Sequence, residues 1–112
     1  MNPIIPLKQR LFSSDLAGVM IGSDDLVRVG RQLKIDLPKK SREALLSTLS
    51  AEAGQINQTK ALHNLLADLV QRRIDRLLKL CENYPHTLAL LGKQPAKAQA
   101  LINDFRDGAY LD

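Results

Sequence analysis

His63, His86 and Cys81 are the side chains of this sequence best suited to move a proton, attack a carbonyl or bind a soft metal. Their number and spacing argue against all three. A zinc site needs three or four Cys, His or carboxylate ligands converging at short range, and one Cys with two unpaired His does not make that set. His63 falls beside the apolar stripe of a helical stretch, which reads as a boundary position with a satisfied ring. His86 follows Pro85 in a turn, and an acid or base there needs a partner that no neighbouring residue offers. Cys81 shares the apolar face of the same stretch and reads as a small buried hydrophobe rather than a reactive thiolate.

Other catalytic patterns are missing too. Asp24 and Asp25 are adjacent, so their carboxylates diverge on a helix, and helix capping explains them better than metal binding or acid–base work. Gly18, Gly22 and Gly30 are too far apart to cradle a phosphate, and neither a Gly-Lys-Ser/Thr element nor a Gly-x-Ser-x-Gly elbow occurs. An enzyme is therefore the least expected class. No cofactor, metal or small-molecule substrate is indicated.

One charged grouping has a pattern. Arg72, Arg73, Arg76 and Lys79 cluster in a strongly amphipathic stretch, where Arg73 projects near the centre of the stripe formed by Leu62, Leu66 and Leu69. Its stem is expected to lie over apolar surface with the guanidinium in water. Leu66, Leu69, Ile74 and Leu77 would then be the buried anchors of a protein-docking surface, with Arg72, Arg73 and Arg76 as a basic rim that orients the partner. For any one of these residues taken singly, an ordinary intramolecular core is the more expected role.

The elements that must position these residues are helical. The 112 residues are 45% hydrophobic and 25% charged, a globular composition of single-domain size. With two Phe, two Tyr and no Trp, the apolar content is mostly Leu and Ala, which favours helix-on-helix packing. Pro3 and Pro6 make residues 1–6 an extended leader before a short helical turn from Leu7 to Phe12. Ser13, Ser14 and Asp15 offer caps for a segment through Leu16, Val19 and Met20, and Ser23-Asp24-Asp25 starts a helix running to about Leu33. Residues 34–37 then form a linker ended by Pro38. A helix from about Lys39 to Ala53 is closed by Gly54, and a long one from about Gln58 to Asn83 is capped by Asn57 or Thr59 and stopped at Tyr84-Pro85. Its outer face pairs Asp68 with Arg72 and Asp75 with Lys79. A short segment, His86 to Leu91, and a last helix opened by Pro95 and closed by Gly108 complete an all-α bundle of four or five helices in one domain, 1–112.

Leu33, Ile35 and Leu37 also alternate as a strand would, so a short strand at 32–37 is the alternative. With Pro38, Ala44-Leu45, Leu49, Gly54 and then Asn57 or Thr59 before Leu62, this pattern resembles the ribbon–helix–helix DNA-binding family over residues 32–66. The resemblance implies paired strands in the major groove, with Gln32, Lys34 and Asp36 facing bases and the amides around Asn57 and Gln58 clamping phosphate. The chain departs from it at Ser41, where the family packs an apolar residue.

Sixteen basic residues against twelve acidic give a net charge of +4, which permits contact with nucleic acid, anionic lipid or an acidic protein without choosing among them. The pI is about 9.5. With one cysteine and no apolar run of membrane-spanning length, the cytoplasm is the expected compartment and a membrane is not an expected partner. The sequence thus leads to a non-enzymatic helical interaction module, an adaptor, chaperone-like or accessory protein that contacts another protein or itself as a homo-oligomer. A DNA-binding regulator of the ribbon–helix–helix class is the alternative.

Overall fold

Local sequence sets where each helix begins and ends. The computed structural model describes residues 4–12, 21–38 and 40–110, and six helices run through them: α1 (Ile4–Leu11), α2 (Ser23–Gln32), α3 (Arg42–Gln55), α4 (Thr59–Cys81), α5 (Pro85–Leu90) and α6 (Gln94–Arg106). The described residues contain no strand, and the all-α bundle expected from composition is the observed architecture.

The first helix, expected from Leu7, begins three residues earlier and takes in part of the N-terminal leader. Residues 4–6 are helical rather than extended, because Pro6 sits in the first turn of α1, where its missing N–H is one of the amides without an intrahelical acceptor. Leu7 and Leu11, one turn apart, are buried. The segment expected through Leu16, Val19 and Met20 lies outside the described residues. At α2 the Gly22 amide donates to the Asp25 carboxylate at 2.9 Å, and Asp24 and Asp25 stand at the positive end of the helix dipole. In α3 the Ser41 hydroxyl accepts from the Ala44 amide at 3.3 Å, so the helix starts at Arg42, later than the expected Lys39.

Three helices end in the same left-handed turn. After α2, Lys34 has φ 61°, its amide donates to Arg31 O, and the Ile35 amide donates to Gly30 O at 2.8 Å. After α3, Asn57 has φ 57°, its amide donates to Gly54 O, and the Gln58 amide donates to Ala53 O at 2.7 Å. After α6, Gly108 has φ 79°, its amide donates to Phe105 O, and the Ala109 amide donates to Asp104 O at 2.9 Å. Gly108 closes its helix as expected. Gly54 does not: it lies inside the last turn of α3, and Asn57 makes the stop. Neither Asn57 nor Thr59 caps α4, whose N-cap position is Gln58 without a side-chain cap bond.

The turn at Lys34 also explains why residues 32–37 are not a strand. Gln32 is the last residue of α2, and the chain folds back so that Ile35 is buried with Leu33 and Leu37 half-buried against the core. Gly30 makes room for this return, since a Cβ there would stand 2.9 Å from the Ile35 carbonyl oxygen and 3.1 Å from Leu37 Cδ1. The alternation of Leu33, Ile35 and Leu37 therefore records one-sided burial without strand pairing.

The buried side chains form one cluster. Its centre is the α4–α6 pair, where Leu62, Leu66, Val70 and Ile74 meet Ala98, Leu101, Ile102 and Phe105. Helix α3 contributes Leu45, Leu46, Leu49 and Ala53, α2 contributes Leu26 and Val29, and α1 covers α3. Across this body Arg10 of α1 pairs with Asp104 of α6 and donates to the Tyr110 hydroxyl at 2.6 Å. The shape is elongated, 45 × 27 × 19 Å, because the 23 residues of α4 span about 34 Å.

Candidate functional site

The apolar stripe of α4 runs further than the core that covers it. Leu62 and Leu69 lie on one side of that stripe and are buried. Leu80 follows Leu69 by eleven residues, about three helical turns, and so faces the same way, yet it is 63% exposed. Beyond it Tyr84 is 65% exposed, Leu88 43% and Leu90 84%, and no residue of α5 is buried. Helix α5 packs mainly on α4. This end of the molecule therefore carries four large exposed apolar side chains within eleven residues, whereas single exposed apolar residues are commonplace.

The stretch of chain that carries these side chains is also basic. Residues 72–97 hold six basic residues (Arg72, Arg73, Arg76, Lys79, Lys93, Lys97) against Asp75 and Glu82, a net +4 that equals the charge of the whole chain. The rest of the sequence is balanced. Arg72, Arg76 and Leu80 follow one another at i, i+4 and form one ridge of α4, so two exposed guanidinium-bearing side chains lead up to the exposed leucine. Arg73 differs: its guanidinium donates to the Asp25 carboxylate of α2 at 2.5 Å.

The other residues singled out by sequence fall as follows. Leu66, Leu69 and Ile74 are covered by the chain's own helices, so they act as core and are not presented as docking anchors. Leu77 is half-buried at the margin of the core. The outer-face pairs are replaced: Arg72 Nε donates to the Asp68 backbone carbonyl at 3.4 Å, the Asp68 carboxylate pairs with Arg106 at 3.5 Å, and Asp75 accepts from Gln71 at 2.9 Å. Gln32, Leu65, Asp68, Gln71, Arg72 and Arg106 line an open cleft of about 420 Å³, which brings together no nucleophile with a base.

Gln32, Lys34, Asp36, Asn57 and Gln58 are all exposed. Lys34 and Asn57 occupy left-handed turns, and the Asn57 and Gln58 amides already donate to carbonyls of α3. His63 is not a boundary residue with a satisfied ring. It is 3% exposed, its ring lies 5.5 Å from Phe105 and 6.4 Å from Tyr110 between centroids, and its Nδ1 has no hydrogen-bond partner among the described residues. Burial pushes its pKa below the usual histidine value, and the charge of Lys60 pushes it the same way. Cys81 is buried and free, as its place on the stripe implied.

Leu80, Tyr84, Leu88 and Leu90 escaped sequence reasoning. The signal was present: extending the Leu62–Leu69 stripe to the end of α4 reaches Leu80, and only the extent of the covering helices decides that it is exposed. Among the described residues no group of three or more His, Cys, Asp or Glu is placed to hold a metal ion, and no helix is long and apolar enough to cross a membrane. Compared with known protein families, curated proteins and solved structures, the chain matches none.

Proposed function

We propose that this chain is a non-enzymatic helical module of the cytoplasm that works by docking another polypeptide at the exposed end of α4 and at α5. The observation that carries the reading is Leu80, which continues a core-facing stripe into solvent beside Tyr84, Leu88 and Leu90. Covering such residues with apolar side chains of a partner is favourable by roughly 25 cal/mol per Å² removed from water, and the flanking Arg72, Arg76 and Lys79 give orientation at the rim. The DNA-binding alternative needs residues 32–37 extended and the Asn57 and Gln58 amides available, and no observation favours it over docking.

A photo-crosslinking amino acid placed in turn at Leu80, at Leu88 and at Glu43 on the exposed face of α3 tests the proposal in living cells. Discrete protein adducts at the first two positions and none at Glu43 are the expected result. Equal adducts at all three, or none at Leu80 and Leu88, would overturn it.

A further inference from the structure

We infer that the segment docking on this end is an acidic amphipathic helix of a different polypeptide, a step that rests on the docking reading above. The charge distribution argues for it. The body of the molecule is balanced, and the whole excess of +4 lies in the same residues, 72–97, that carry the exposed apolar side chains. With Arg73 matched by Asp25, the exposed side chains Arg72, Arg76, Lys79 and Lys93 still outnumber Asp75 and Glu82. A partner that buries Leu80 must bring its own rim close to these cations, and carboxylates there gain attraction where cations are repelled.

The same argument disfavours a second copy. Two such ends meeting face to face would place like charges well within the screening length of about 8 Å at physiological ionic strength. A phosphate backbone would satisfy the cations but offers nothing to cover Leu80, Leu88 and Leu90. The ridge Arg72–Arg76–Leu80 has helical spacing, so the complement is a helix whose apolar anchors are flanked by Glu or Asp one turn away.

A displayed library of amphipathic helices about 18 residues long tests this, with apolar positions drawn from Leu, Ile, Val and Ala and rim positions drawn equally from Glu, Gln and Lys. Selection on the whole chain is expected to enrich Glu over Lys at the rim by about tenfold or more. That preference is expected to disappear on the Arg72→Glu, Arg76→Glu double variant and to persist on Arg28→Glu, Arg31→Glu, which changes the net charge equally on the exposed side of α2. Loss of all enrichment on Leu80→Asp would tie the selected helices to this end, and circular dichroism of each variant confirms that it is folded. Enrichment of apolar residues without Glu over Lys would overturn the acidic partner and leave docking standing. So would a concentration-dependent dimer, seen by light scattering and abolished by Leu80→Asp, since it would make the occupant a second copy. Binding to phosphatidylserine vesicles with no helix enriched, or no enrichment together with no cross-link at Leu80, would overturn the docking reading as well.

Discussion

The Asp25 carboxylate holds two elements at once: one oxygen accepts from the Arg73 guanidinium of α4 at 2.5 Å, and the other accepts from the Gly22 amide at 2.9 Å. One side chain thus caps α2 and ties it to the long helix, and it is only 12% exposed. Asp25→Ala removes both bonds, and hydrogen bonds to a charged group in a partly buried setting are each worth about 1.5–3 kcal/mol. A loss of about 2–4 kcal/mol is expected in urea denaturation. Asp25→Asn, which keeps an acceptor oxygen, is expected to lose less. A loss under about 1 kcal/mol for the alanine variant would mean that the pair is ornamental.

His63 makes stability depend on pH. Its folded-state pKa lies below the unfolded value of about 6.5, so below that pH the unfolded chain binds more protons than the folded one. The contribution of the neutral ring is therefore fully present above about pH 6.5 and declines as pH falls through 6 toward 5, at no more than about 1.4 kcal/mol per pH unit. His63→Phe, which retains an aromatic ring against Phe105 and Tyr110, is expected to flatten this slope. Urea midpoints measured between pH 5 and pH 7.5 decide it, and an unchanged slope in His63→Phe would assign the acid sensitivity elsewhere.

The two positions flanking the α2 turn respond to side-chain change in opposite senses. Lys34 holds a left-handed backbone that disfavours any residue with a Cβ, so Lys34→Gly is expected to raise stability by about 0.5–1 kcal/mol. Gly30 has an ordinary helical position that intrinsic propensity would fill better with alanine, by about 1 kcal/mol. Here Gly30→Ala is expected to destabilise instead, because the added methyl meets the backbone oxygen of Ile35 at 2.9 Å. Thermal melts of both variants read the two signs directly. A stabilising Gly30→Ala would show that the return of residues 35–37 yields easily.

What could be read from the sequence followed physical locality. Helix type and number of apolar faces came from spacing along one segment, so α2, α3, α4 and α6 were legible with ends good to a few residues. The stop of α3 was misread because a non-glycine took the left-handed position, Asn57 ending the helix three residues after Gly54, whereas the end of α2 near Leu33 was legible although Lys34 makes its turn with no glycine to announce it. Burial depends on what other helices cover, which no single segment records. Leu69 and Leu80 look alike on the α4 stripe, and only the reach of α6, α3 and α2 makes one core and the other surface. For the same reason Arg73, read as a wet basic residue, proved to be tied to Asp25, 48 positions earlier in the chain.

That contrast between Leu69 and Leu80 separates the core from the docking end by experiment. Leu80 is 63% exposed, so replacing it with Asp creates no cavity and buries no charge, and the stability change is expected to stay within about 0.5 kcal/mol. Leu69 is 9% exposed within the core, and Asp there places a carboxylate among apolar side chains, at a cost of about 3 kcal/mol or more. Binding of an apolar dye such as anilinonaphthalene sulfonate to the folded chain is expected to fall in Leu80→Asp, because the exposed apolar end is what it reports. Leu69→Asp should instead raise dye binding as the core loosens. If Leu80→Asp unfolds the protein as readily as Leu69→Asp, then Leu80 belongs to the core and the docking end must be sought elsewhere.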